Sequence, residues 1–149
     1  MNLRYPTNKM NTKNIRLKRV TISDVDFLYL LLKDRDQYTN ISHKKMPTFL
    51  QHKKFVKSNH YSYWYVIFSN NVKIGAAYMT NINEIGLHLK KEFQNLGIEK
   101  SILNKLLLKH PRSRYIINVN PKNKKRVQFL KKTGFSLIQH TYELITDRK

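Results

Sequence analysis

The chain has 149 residues, 40% of them hydrophobic and 11% aromatic, which suits one globular domain with a sizeable core. It contains no cysteine, which excludes disulfides, thiolate metal sites and a cysteine nucleophile, and gives no sign of an oxidising compartment. Lys and Arg number 29 against 9 Asp and Glu, and the formal net charge of +20 creates a positive field able to steer nucleic acid, an anionic surface or a polyphosphate ligand. A compositional bias toward Lys, Asn and Ile would charge the surface equally well without selecting any ligand.

Residues 1–13, within "MNLRYPTNKMNTKN", lack the apolar core of a signal peptide and read as a polar, flexible tail, leaving 14–149 as a single domain. No apolar run approaches the roughly twenty residues of a membrane span, so a cytoplasmic protein with no membrane partner is expected. "NIRLKRV" alternates apolar and basic residues as a strand with an exposed face would, ending at Val20. "TISDVDFLYLLLKD" opens with Thr21 as a cap and an acidic first turn and predicts an apolar helix over 22–33. In "MPTFLQHKKFVKSN", Thr48 and Gln51 have the spacing of a capping box for a second short helix. "YSYWYVIFS", "VKIGAAYMT" and "EIGLHLK", separated by the turn sequences "NNV" and "NIN", predict an antiparallel meander. A helix over 97–109, a buried strand at "RYIINVN", a basic amphipathic helix at "KNKKRVQFLKKTG" ended by Gly134, and a last strand at "FSLIQHTYELI" complete the order. The fold class expected is α/β in the α+β sense, with a mixed, mostly antiparallel central sheet flanked by about four helices.

"KKEFQNLGIEKSIL" joins the last meander strand to the following helix. The backbone N–H groups of a helix start would face outward there as an anion site. Asn95 tolerates the left-handed conformation such a loop needs, Gly97 allows close backbone approach, and Lys100 lies one turn inside. A Q-x-x-G pattern alone is also what an ordinary strand-to-helix connection would show.

Two segments together are more specific. "EIGLHLKKEFQNLGIEKSILNKLL" and "INVNPKNKKRVQFLKKTGF" resemble the two signature segments of the GCN5-related N-acetyltransferases (GNAT), at their proper separation, and the element order fits that fold along almost the whole chain. The resemblance implies acetyl coenzyme A as co-substrate and direct transfer of acetyl to a primary amine. The family's R/Q-x-x-G-x-G/A pyrophosphate loop falls on Gln94, Asn95, Leu96, Gly97, Ile98 and Glu99. Its second motif falls on Asn123, Arg126, Leu130, Lys132, Gly134 and Phe135, with Asn120 just upstream. Glu99 stands where a small residue is usual, Arg126 where another is, and Leu130 where many members carry the tyrosine that protonates the departing thiolate.

The same resemblance assigns roles. Leu87, His88 and Leu89 would line the pantetheine arm, with a backbone N–H of this stretch as oxyanion donor. Gln94 to Ile98, Lys100, Asn120 and Asn123 would bind the rest of the cofactor. Glu84 matches the glutamate that acts as base, the ordinary alternative being a solvated carboxylate at a strand end. With leucine at 130, Tyr142 and Tyr78 remain as candidate acids, although both alternate with apolar neighbours like core aromatics. His43, His52 and Tyr78 are candidates for the acceptor pocket, a surface histidine being the ordinary reading of the first two. "ISHKKMPTFLQHKKFVKSNHYSYWYVI" is further similar to a subgroup tied to amino-sugar and surface-glycan pathways, which makes a nucleotide-linked amino sugar the expected acceptor. No metal site is expected, since the histidines lack ligand spacing with carboxylates. The competing class is a catalytically degenerate protein of the same fold that binds coenzyme A, a polyanion or nucleic acid; its basic helix lacks interleaved aromatics for base stacking. Pairing with a second copy is left open.

Overall fold

The computed structural model describes residues 14–35 and 45–146. Strand β1 (Ile15–Arg19) leads through a 3-10 turn (Ile22–Asp24) into helix α1 (Val25–Lys33), and helix α2 (Phe49–Ser58) follows. Strands β2 (Tyr63–Ser69), β3 (Val72–Met79) and β4 (Ile85–Leu89) come next, then helices α3 (Glu99–Lys109) and α4 (Lys124–Lys132). The four strands form one antiparallel sheet in the order β1-β2-β3-β4.

Local chemistry explains the boundaries. The Thr21 N–H donates to the Asp24 carboxylate at 2.9 Å. At α2 the Thr48 hydroxyl accepts from the Gln51 N–H at 3.2 Å while the Gln51 side chain accepts from the Thr48 N–H at 2.9 Å, the reciprocal pair expected from the spacing. The β2–β3 connection places Asn70 and Asn71 at φ 50° and 71°, the two left-handed residues that a tight hairpin matching strand twist requires.

The sheet separates two apolar layers. Ile85 and Leu89 of β4 pack with Tyr65, Ile67 and Met79 against Ile98, Ile102, Leu103 and Leu106 at the start and along one face of α3. Each such aliphatic side chain contributes about 1.5–3 kcal/mol by burial. On the other face Val25, Leu28 and Leu31 of α1, at helical spacing, pack with Val56 of α2 and Ala76 of β3. Because side chains alternate along β4, Gly86 and His88 face the α1 layer while Ile85, Leu87 and Leu89 face the α3 layer.

Two expected strands do not form. "RYIINVN" makes a single parallel bridge, Ile116 to Glu84, through the Ile116 N–H to the Asn83 carbonyl and the Ile85 N–H to the Ile116 carbonyl. Beyond it the β4 edge is occupied by side chains, so the ladder stops. Residues 135–146, which hold "FSLIQHTYELI", have no regular structure, and Leu137, Tyr142 and Leu144 are exposed by 73%, 91% and 87%. Their alternation had the period of a strand, but the segment at 114–120 that would have offered an edge contributes only one bridge. No helix among the described residues is long and apolar enough to cross a membrane.

Candidate functional site

The edge of β4 that no described strand covers is the organising feature. Hydrogen-bonding directions alternate along a strand, and the Thr80 N–H to Glu84 carbonyl and Lys90 N–H to Ile74 carbonyl bonds point toward β3. The Ile85 N–H points the other way, to Ile116, so the N–H and C=O groups of Leu87 and Leu89 also face outward. There β4 and the 114–120 segment diverge, and among the described residues no strand covers that edge. Two side chains reach it instead. Arg126 of α4 donates from Nη2 to the Leu87 carbonyl at 3.0 Å, and Gln94 donates from Nε2 to the Leu89 carbonyl at 2.8 Å.

The loop after β4 has the backbone of an anion cradle. Gln94 is extended, Asn95 and Gly97 are left-handed at φ 61° and 76°, and a Cβ built on Gly97 would meet nothing within 4 Å. Leu96 is exposed, Ile98 is buried in the α3 core and anchors the loop, and Lys100 is exposed on the first turn. Asn123 and Asn120 spend their side-chain oxygens on structure: Asn123 caps α4 by accepting from the Arg126 N–H at 3.2 Å, and Asn120 accepts from the Lys122 N–H at 3.0 Å.

Two of the departures from the motif act on each other through charge. The Arg126 guanidinium is held below its ordinary range by burial, and the Glu99 charge opposes that shift. Glu99 therefore lies where its charge stabilises the cation on the β4 edge. Leu130, 7% exposed, belongs to the core and offers no proton.

On the opposite face of β4 lies a second group of residues. Glu84 is half-buried, with its N–H donating to the Thr80 hydroxyl at 3.1 Å, and its charge acts on Tyr61 and Tyr78. Those two rings stack at 3.9 Å between centroids and 4° between planes. Tyr78 lies directly over Gly86, where a Cβ would sit 2.1 Å from its ring. Burial, reinforced by neighbours including Glu84, raises both hydroxyls above the ordinary phenol range, so both stay protonated at neutral pH. His88 is pushed down to about 3, first by burial and then by the Arg35 and Arg126 charges, so it is a neutral imidazole. His52 is 6% exposed, packed on the Tyr29 ring, and also lowered by burial and by Arg35; it is not the surface histidine that its polar neighbours suggested.

The structure thus gathers Glu84, Tyr78 and His88 on one side of the β4 edge, with His52 coupled to them through Arg35, and Leu87, Leu89 and residues 94–100 on the other side. Tyr142, at 91% exposure, is not in the buried cluster. His43 lies outside the described residues. Sequence reasoning missed Tyr61, hidden in an aromatic strand-like run, and Arg35, which sits in no motif and is marked only by its burial in the folded protein. A separate open concavity of about 300 Å³ between β1 and the end of α2, lined in part by Arg19, Thr21, Val56 and Trp64, contains none of these residues.

No protein-family model and no curated protein sequence matches the chain. Solved structures do. A spermidine N-acetyltransferase from Vibrio cholerae, in complex with CoA and spermine, aligns over 90% of this chain and 88% of its own with a TM-score of 0.76 and 17% identity. A ribosomal L7/L12 alpha-N-protein acetyltransferase in complex with coenzyme A aligns over 87% and 85%, with a TM-score of 0.69 and 19% identity. An acetyl transferase from Salmonella typhimurium that modifies the N-terminal serine of ribosomal protein L7/L12 aligns over 85% and 84%, with a TM-score of 0.67 and 22% identity. The chain has the GNAT fold, as the two motif segments implied.

Proposed function

We propose that the protein is an N-acetyltransferase that moves acetyl from acetyl coenzyme A directly to a primary amine of a small molecule. The observation that carries this reading is the β4 edge at Leu87 and Leu89, which no described strand covers and whose N–H groups face outward, running into a loop whose left-handed Asn95 and Gly97 open onto the first turn of α3. That combination suits a long amide-containing chain that ends in a pyrophosphate: the edge pairs with amides, and the loop N–H groups and helix start receive the phosphates. The Glu99 charge acting on Arg126 supports this reading, because the carboxylate at the helix start has a cation to act on.

Acetyl coenzyme A would supply the thioester carbonyl that the amine attacks. Glu84, at the head of β4, would take the ammonium proton, directly or through water. The outward N–H groups of Leu87 and Leu89 are the backbone donors nearest in the chain for a developing oxyanion. With leucine at 130 the coenzyme A sulfur would depart as thiolate, and the Tyr78 and Tyr61 hydroxyls, raised by burial, would act as hydrogen-bond donors on the acceptor side. For the acceptor, a nucleotide-linked amino sugar remains the specific reading, supported by the basic and hydrogen-bonding character of "KKMPTFLQH" and by the excess of Lys and Arg. The solved neighbours named for polyamine and protein N-terminal acceptors define the alternatives.

The test is release of free coenzyme A from acetyl coenzyme A in the presence of nucleotide amino sugars, polyamines and peptide N-termini, with Glu84→Gln beside the wild-type protein. Amine-dependent release that drops at least about a hundredfold in Glu84→Gln, with cofactor affinity intact, is expected. Cofactor binding without turnover on any amine would favour the degenerate reading.

A further inference from the structure

Arg35 is unused by the reaction described above. It follows α1 directly, its Nε atom is shielded from solvent, and that atom has no hydrogen-bond partner in the described structure. Burial holds the guanidinium below its ordinary range, and among the described residues the groups that oppose that shift are the Tyr78 and Tyr61 hydroxyls. The two histidines that feel its charge, His52 and His88, cannot balance it, since an imidazole carries no negative charge, and both are lowered first by burial and then by Arg35. His52 Nε2 is a second buried nitrogen with no partner among the described residues. A guanidinium whose Nε is buried without a partner among the described residues, and whose charge acts on a histidine with a second buried, unpartnered nitrogen, is costly to keep, and an anion bound to both would offset that cost.

Charges of both signs act on the tyrosine pair. Glu84 and Arg35 both act on the stacked rings of Tyr61 and Tyr78, so the cluster presents a carboxylate and a guanidinium to one shared wall. Such a wall fits a dipolar ligand, with an amine toward the carboxylate and an anion toward the guanidinium, and it repels a polycation from the Arg35 end. Resting on the N-acetyltransferase reading, we infer that the acceptor carries an anionic group, a carboxylate or a phosphate, bound by Arg35 with His52 Nε2 and the two tyrosine hydroxyls in reach, while its amine lies toward Glu84. Arginine suits the task because its planar fork binds two oxygens of a carboxylate or phosphate at once.

The experiment compares amine pairs that differ only by the anion: glucosamine with glucosamine 6-phosphate, an amino acid amide with the free amino acid, and spermidine as the polycation. Steady-state kcat/KM is read for the wild-type protein, Arg35→Lys and Arg35→Gln. The anion-bearing member of at least one pair is expected to be preferred about tenfold or more, mostly through KM. In Arg35→Gln that ratio collapses toward one, in Arg35→Lys it is partly restored, and calorimetric affinity for acetyl coenzyme A stays at the wild-type value. Preference confined to the phosphate pair or to the carboxylate pair identifies the anion. A neutral amine or spermidine as best acceptor, or equal losses on all acceptors in Arg35→Gln, overturns the inference while the acetyltransferase reading stands. Because Arg35→Gln could fail to fold, the same pairs are also titrated calorimetrically into wild-type protein with coenzyme A. Tighter binding of the anionic member without any turnover would sink the reaction and keep the anion site, and equal binding would sink the site.

Discussion

Replacing Gly86 by alanine should damage the acceptor side of the site specifically. The new Cβ would lie 2.1 Å from Tyr78 Cε1, 2.2 Å from Cζ and 2.6 Å from the hydroxyl oxygen. The ring must therefore retreat by roughly 1.5 Å to reach ordinary contact. It cannot do so freely, because Tyr61 stacks on Tyr78 at 3.9 Å. Overpacking costs about 1–3 kcal/mol, and disrupting the aromatic pair adds about 0.5–1.5 kcal/mol. The sum, about 1.5–4.5 kcal/mol, corresponds to a melting temperature lower by roughly 3–18 °C for a domain of this size. Gly97→Ala is the control: nothing lies within 4 Å of its Cβ, and only the left-handed φ of 76° is penalised, at about 1–2 kcal/mol. Thermal melts, acceptor KM and calorimetric cofactor affinity separate the two, Gly86→Ala raising acceptor KM and Gly97→Ala weakening the cofactor. In a Tyr78→Ala background the Gly86→Ala cost should nearly vanish. A Gly86→Ala protein melting within about 2 °C of wild type would refute the packing described for Tyr78.

Glu99→Gln removes a carboxylate from the start of α3. Cofactor affinity should rise roughly threefold to tenfold by Coulomb relief, at a stability cost of about 0.3–1 kcal/mol from the helix dipole. Calorimetry that finds weaker binding would mean that Glu99 acts chiefly by holding Arg126 in place. Arg126→Ala should leave the Leu87 carbonyl without its charge-assisted donor and destabilise the protein by about 1.5–3 kcal/mol in denaturant titrations, whereas an unchanged midpoint would show that this hydrogen bond is not made in solution. His88 titrates near 3 in the folded protein against 6.5 in its absence, so the unfolded state binds the extra proton. Stability from this group is complete above pH 6.5 and falls by up to about 1.4 kcal/mol per pH unit as pH drops toward 3. Denaturant titrations between pH 7 and 5 should therefore be flatter for His88→Asn than for wild type, and identical slopes would argue against a buried neutral His88.

Elements whose signal is local were legible in the sequence. The Thr48–Gln51 capping box, the Asn70–Asn71 hairpin and the apolar face of α1 each state their conformation within a few residues, and the structure contains them. The backbone of the loop was legible for the same reason, since Asn95 and Gly97 are the residues that accept positive φ. The two unformed strands failed because a strand depends on an edge elsewhere in the chain, and alternation in "FSLIQHTYELI" cannot report whether that edge exists. The effect of the Glu99 charge on Arg126 was invisible because the two residues lie on different helices, α3 and α4; each alone looked like a defect. Arg35 was invisible for a related reason, as only the fold buries it beside Tyr61, Tyr78 and His52.

The central claim, that the open β4 edge and the following loop receive acetyl coenzyme A, is tested most directly by amide hydrogen exchange with and without saturating acetyl coenzyme A. The account predicts slowed exchange at Leu87, Leu89 and residues 97–101, with β1 at the far edge of the sheet unchanged. Unaltered exchange at Leu87 and Leu89, or protection spread evenly over basic surface residues, would contradict it.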